Sequence, residues 1–424
     1  TATSPVARFN ADGTLDTSFG ANGISRLDWS TVAGGTRDAV WGLAVDGDDR
    51  VVLFGSKRGE GTRVDADRVV ARLTENGALD TAFGTDGLTV LNIGNLGDNA
   101  RHGIVQLDGK IVASGYMSQP TGVGTQSANR IVLQRLNADG KPDETFGFKG
   151  VLSSAPFQAQ SPTNPEWGMV EAYAVGVQAD GSYVTTGYGR TASSGTVDLV
   201  SFRYSGTGQL DSQWGTNGSV VLDLVGADDR GRHMVVLKND NVCMVGSGKP
   251  TTSKISAMVL MLDKSGRPDT TYTPDGYKLF EYERAESAFF GAATSKDGDW
   301  VAAAGYRSGD NQDADAVLAI IPVAGNPGQE VSKATPISET EDDRFWAVAF
   351  DSANKVYGAG FVTEGGDNRM VVARFNTDGS LDTSFGTGGI AKLNIAVAKT
   401  EETVRGIAVQ RNGKIVVAGP IEKL

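Results

Sequence analysis

"NADGTLDTSFGANG" occupies residues 10–23, and "NTDGSLDTSFGTGG" occupies residues 376–389, near the other end of a 424-residue chain. Four further copies lie between them: "TENGALDTAFGTDG" (74–87), "NADGKPDETFGFKG" (137–150), "SGTGQLDSQWGTNG" (205–218) and "DKSGRPDTTYTPDG" (263–276). Their shared aspartates, Asp16, Asp80, Asp143, Asp211, Asp269 and Asp382, stand 64, 63, 68, 58 and 113 residues apart. The last gap is almost two repeats long, and "IIPVAGNPGQEVSKATPI" (320–337) stands where a seventh, decayed copy belongs. Seven units of about sixty residues therefore fill the chain, and fixed periods of this kind mark propellers, solenoids and arrays.

The second half of each unit is a hairpin. "RGIAVQRNGKIVVAG" (405–419), "HGIVQLDGKIVASG" (102–115) and "YAVGVQADGSYVTTG" (173–187) each set two short apolar strands around an Asn-Gly or Asp-Gly turn. A third strand is read from "RMVVARFN" (369–376) and a fourth after the glycine pair, as in "GIAKLN" (389–394). Helical periodicity is absent, so four antiparallel strands per unit predict an all-β, seven-bladed β-propeller. The chain opens in a third strand, "PVARFN", and stops after a second, "KIVVAGP". Joined, the two ends make the seventh blade, from about residues 404–424 plus 1–28, in a single domain spanning 1–424, and the ring closes without an exposed edge.

The repeat resembles a calcium loop only in part. The position of Asp12 is held in the other copies by Asn76, Asp139, Thr207, Ser265 and Asp378, which form turns and do not amount to a constant ligand set. The next residue is glycine every time (Gly13, Gly77, Gly140, Gly208, Gly266, Gly379), as a left-handed turn position demands. The shared aspartate is read as capping a short turn, and the aromatic three residues later (Phe19, Phe83, Phe146, Trp214, Tyr272, Phe385) as a wedge between blades.

These units are similar to the Delta-60 repeat family, whose tandem copies read much like "RFNTDGSLDTSFGTGGI". The resemblance covers the chain except near residues 315–345, and it implies a β-propeller from a large bacterial surface or exported protein. It brings no catalytic residue with it.

Composition narrows the partners. A formal net charge of −12 and a pI near 4.8 oppose nucleic acid or an anionic membrane as the main partner and favour cationic ones. Cys243 is the sole cysteine, read as a buried, inert thiol. No apolar run reaches the length of a membrane span, and the opening residues do not read as a signal peptide, so any leader is expected to have been removed.

Function is sought where the blades differ. Just ahead of each first strand, one equivalent position is assigned to Trp41, His102, Tyr173, His233, Phe290, Trp346 and Arg405. Small residues follow (Gly42, Gly103, Ala174, Gly291, Ala347, Gly406, with Met234 the exception), as a crowded axis requires. Two to four residues upstream stands an acid in every blade: Asp38, Asp98, Glu171, Asp229, Glu286, Asp343 and Glu402. Aromatic and histidine platforms under a carboxylate rim would hold a cationic peptide, a sugar face or an amine at the channel mouth. The competing expectation is solvated or turn-capping acids with aromatics that plug the channel.

Unlike loops between second and third strands, at 56–68, 116–130 and 306–315, are expected to open on the same face. "GSGKPTT" (246–252) lacks phosphate-loop spacing. With two histidines, no HExxH and no GxSxG, hydrolase signatures are missing, although His102 and His233 with Asp98 and Asp229 would suit a metal or acid–base pair. The expectation is a monomeric recognition or scaffold module of the cell surface, exterior or periplasm. It binds a protein, peptide or glycan without catalytic residue, metal or cofactor. A propeller hydrolase or lyase is the alternative, and a purely structural surface protein the third.

Overall fold

The computed structural model describes residues 4–27, 29, 38–94, 96–120, 127–157, 168–191, 195–224, 227–250, 254–282, 286–308, 313–323, 329–396 and 400–423. Its strands form seven four-stranded antiparallel blades and one two-stranded ribbon. From axis to rim, blade 1 is Ala39–Val45, Val51–Arg58, Ala66–Arg72 and Leu88–Leu91. Blade 2 is Asp98–Val105, Ile111–Pro120, Ser127–Leu136 and Val151–Ser154, and blade 3 is Met169–Val177, Tyr183–Arg190, Asp198–Tyr204 and Val220–Leu222. Blade 4 is Arg230–Val236, Val242–Gly248, Ser256–Leu262 and Tyr277–Phe280, and blade 5 is Ser287–Thr294, Trp300–Ser308, Ala314–Pro322 and Val331–Thr335. Blade 6 is Asp343–Phe350, Val356–Glu364, Asp367–Phe375 and Ile390–Leu393.

Blade 7 takes Gly406–Val409 and Ile415–Ala418 from one end of the chain and Ser4–Phe9 and Ile24–Leu27 from the other. Val6 pairs with Ala418 and Phe9 with Ile415, so the ring closes through the expected split blade. The first strand of every blade touches the first strand of the next, and Gly406–Val409 returns to Ala39–Val45. A short ribbon, Thr400–Glu402 with Ile421–Lys423, lies beside the closing blade. The expected boundary residues 1–3, 28 and 424 lie outside the described residues.

Apolar cores sit between blades. Val52, Phe54 and Val70 of blade 1 pack with Ala100, Ile111 and Ala113 of blade 2. Middle strands are consequently buried on both faces, and Ser256–Leu262, "SAMVLML", is buried at every position. An alternating pattern would leave one face polar; a continuous apolar run suits a sheet packed on both sides. Cys243 lies in this layer, and burial pushes its thiol up to about 12.

The repeat itself knits the rim. Arg8 Nε donates to Asp16 Oδ2 at 2.6 Å, and Arg72 to Asp80, Arg135 to Asp143 and Arg203 to Asp211 repeat the pair. Arg8, Arg72 and Arg135 also donate to carbonyls in the following blade, Arg8 to Glu75 at 2.6 Å, Arg72 to Ala138 at 2.5 Å and Arg135 to Gly206 at 2.6 Å. These three lie over their own aromatics, with Arg8 4.6 Å from the Phe19 centroid, Arg72 4.7 Å from Phe83 and Arg135 4.8 Å from Phe146. The invariant glycine carries two constraints. Gly77 has φ +84°, and a Cβ there would meet the Phe19 ring of the preceding blade at 2.9 Å. Blade 5 lacks the motif but keeps four strands, and Val331 stands beneath Gly379 where other blades put an aromatic.

Candidate functional site at the channel mouth

Each of the first six blades carries a β-bulge in its innermost strand. The register shifts around Trp41, Arg101, Tyr173, Arg232, Phe290 and Trp346. In blade 7 the matching residue is Arg405, whose amide donates to Ala418 O at 2.8 Å just before the strand. An unpaired bulge residue is free to turn its side chain toward the axis. The belt therefore reads Trp41, Arg101, Tyr173, Arg232, Phe290, Trp346, Arg405 around the ring.

Two sequence assignments are corrected by one residue. His102 pairs with Ser114 and His233 with Val245, in the same register as Gly42 with Phe54 and Gly291 with Ala304. Both histidines therefore hold the small-residue position beneath the belt, where Gly103 and Met234 had been expected. They fit because they face each other, ring centroids 4.4 Å apart and nearly perpendicular. Burial, and for His102 also its histidine neighbour, drives both below the ordinary imidazole range, His233 to about 4. They are neutral at physiological pH.

The belt is held by cation–π contacts. Arg101 lies 4.4 Å from the Trp41 ring and 5.3 Å from Tyr173, Arg232 lies 5.1 Å from Tyr173 and 5.4 Å from Phe290, and Arg405 lies 3.9 Å from Trp346 and 5.8 Å from Trp41. Phe290 and Trp346 touch directly at 4.2 Å. An outer tier supports them: Arg101 donates to Tyr116 Oη at 2.8 Å, and the Tyr173 and Tyr188 hydroxyls are 3.2 Å apart. The seven belt residues, with the histidines and adjacent glycines and alanines, line a cavity of about 350 Å³.

The acids do not form the expected rim. Asp38, Asp98, Glu171, Asp229, Asp343 and Glu402 are buried, and none lines the cavity. Most cap the crossover from the previous blade. Asp98 accepts from Ile93 N at 2.5 Å, Asp229 from Leu224 N at 2.7 Å, Asp343 from Ile337 N and Ser338 N at 3.0 Å, and Glu402 from Ile395 N at 2.9 Å. Each amide belongs to the segment leaving an outermost strand, and a carboxylate is the strongest acceptor a buried turn can be given. Asp38 accepts from Arg58 N at 3.4 Å.

Blades 3 and 5 depart from this scheme. Val170 holds the cap position in blade 3, and Glu171 beside it accepts from Asn129 Nδ2 at 2.6 Å. In blade 5 the buried Ser287 accepts from Ala257 N at 2.9 Å, which leaves Glu286 exposed. A constant three-residue step from cap to bulge, as in Asp98 to Arg101, is the signal that would have located the arginines.

Burial raises Asp98 to about 7 and Asp343 to about 6, and it raises Asp229 and Glu402 as well. Among the described residues, the one group of three side chains close enough to share a metal ion is Asp198, Asp223 and Asp229, which includes no cavity residue. Of the three variable loops, 56–68 is described in full, and the other two are described at 116–120, 127–130, 306–308 and 313–315. Residues 121–126, 251–252, 309–312 and 324–328 of the segments singled out in the sequence lie outside the described residues.

Fold and belt together define a seven-bladed β-propeller with an arginine and aromatic ring at one end of its channel. A family model described as "Domain of unknown function (DUF5122) beta-propeller" matches residues 4–19, 106–146 and 354–385. With the seven blades, that match supports a β-propeller repeat family. No curated protein matches the chain.

Similar solved structures include the periplasmic gluconolactonase PpgL of Pseudomonas aeruginosa, at 14% identity and a TM-score of 0.49, with 94% of this chain and 100% of that chain covered. Sqt1 of Chaetomium thermophilum follows at 16% identity and 0.41, with 88% and 75% covered. A polysaccharide lyase, an ulvan lyase, has 11% identity and 0.46, with 82% and 84% covered. Likenesses this distant transfer no activity, and the fold rests on the strand pairing itself.

Proposed function

We propose that this chain is a Delta-60-type recognition module, monomeric and located outside the cytoplasm, that binds a small ligand at the channel mouth without acting on it chemically. The observation that carries this reading is the closed belt of four aromatics and three arginines around a cavity of about 350 Å³, a volume in the range of small-molecule sites. The belt position mixes arginine with three kinds of aromatic around the ring, while the scaffold beneath it repeats. The neutral histidine pair packs as a floor and has no carboxylate partner in the cavity lining, which supports binding over acid–base work.

The charge expected of the ligand changes sign from the sequence reading. Acids assigned to the rim cap blade junctions, and the charged side chains lining the cavity are arginines. Trp41→Ala and Trp346→Ala should each weaken binding by more than about 1 kcal/mol, the usual threshold for an anchor, with the circular dichroism spectrum unchanged. A thermal-shift screen of glycans, organic acids and peptides, followed by titration of any hit against both variants, provides the test. Hits unaffected by both substitutions would remove the channel mouth as the site.

A further inference from the structure

We propose that the ligand is a small organic anion, a carboxylate borne on a compact ring, taken by Arg101 and Arg232 within the aromatic belt. This rests on the recognition reading and gives it a ligand class. The whole chain carries a formal charge of −12, yet three guanidiniums converge on one cavity whose described lining contains no aspartate or glutamate. Arg101 and Arg232 form no ion pair with a carboxylate among the described residues, in contrast to the rim arginines, each of which holds an aspartate. Glu171 is the acid whose charge is felt at Arg101, and it is buried and bonded to Asn129. Low-dielectric walls concentrate the field of such a cluster at its mouth.

The chemistry of the lining selects the ligand further. Stacking between rings fixes each guanidinium in orientation while leaving its in-plane N–H groups to meet a carboxylate fork. Arg101 and Arg232 line the cavity and offer only N–H donors, so the group that meets them must be an acceptor, as an ionised carboxylate is at both oxygens. Trp41, Tyr173, Phe290 and Trp346 give the rest of the wall an apolar surface against which a compact carbon skeleton packs. A lysine-bearing peptide, the expected partner on overall charge, would instead place its ammonium among three arginines.

Matched probes read the charge directly: glucuronate against glucose, and benzoate against benzyl alcohol, titrated calorimetrically into the intact chain. The carboxylate of each pair should bind at least about tenfold more tightly than its neutral partner, and raising ionic strength should erode that preference. Arg101→Gln and Arg232→Gln should abolish it. If either variant fails to fold, the matched pairs and the salt series on the native chain decide alone. Equal binding of charged and neutral partners, or tighter binding of a lysine peptide, overturns the anion assignment; the recognition reading then survives only where Trp41→Ala weakens that binding. No binding by any probe at tens of millimolar overturns both.

Discussion

Asp343 shows how a single residue can be misread and then explained. It was expected on an open rim, but it is buried under three backbone amides, from Ala316, Ile337 and Ser338. Burial outweighs those bonds and raises its pKa to about 6. Folded, it therefore keeps its proton up to about pH 6, whereas unfolded it releases it near pH ~4. Its contribution to stability is full below pH ~4 and is lost as pH rises through about 6, a change on the order of 2–3 kcal/mol. Asp98, Asp229 and Glu402 shift the same way. Asp343→Asn, neutral throughout, should flatten the fall in urea midpoint between about pH 4 and pH 7 without abolishing it; an unchanged slope would mean the carboxylate is already ionised in the folded state.

At the scale of elements, the repeat spelled out what each blade needs from its neighbour. The aromatic wedge, the invariant glycine and the shared aspartate all act at blade contacts, and constraints that recur in every unit leave a pattern in the chain. Phe146→Ala should cost about 3–5 kcal/mol, because that ring is fully buried between blades 2 and 3 and supports Arg135. Val331→Ala should cost only about 1 kcal/mol by the same packing argument, and hydrogen exchange should be fastest in Val331–Thr335. Equal protection across all outermost strands would count against blade 5 being the weak joint.

The belt was harder to read than the rim. "ARHGI" and "GRHMV" each offer two large residues in succession, and side-chain size cannot say which one a bulge throws toward the axis. A strand's period of two is broken at a bulge, so spacing from the following small residue misplaced both histidines. Spacing from the buried cap would have put Arg101 and Arg232 there. The difference reverses the charge of the site.

For the whole molecule, closure is the property that matters most. Removing residues 1–10 would leave Ile415–Ala418 with an unpaired edge and blade 7 with two strands. Calorimetry of that deletion should show a broad, weakly cooperative transition in place of a single sharp one, and an unaltered endotherm would refute closure by the split blade. Ring order and blade number were legible because they follow from counting copies. The interior of the ring was not, since it follows no single motif around the blades.

The split blade also determines how the molecule would bear tension. Ser4–Phe9 and Ile415–Ala418 run antiparallel, with the start of the first beside the end of the second. Pulling the two ends apart therefore loads their ladder one hydrogen bond at a time, as a zipper is opened, and never all together in shear. The ribbon of Thr400–Glu402 and Ile421–Lys423 stands ahead of that ladder on the C-terminal side and would part first. Held between two anchors, this ring would yield at low force at its own seam, with blades 1 to 6 still intact.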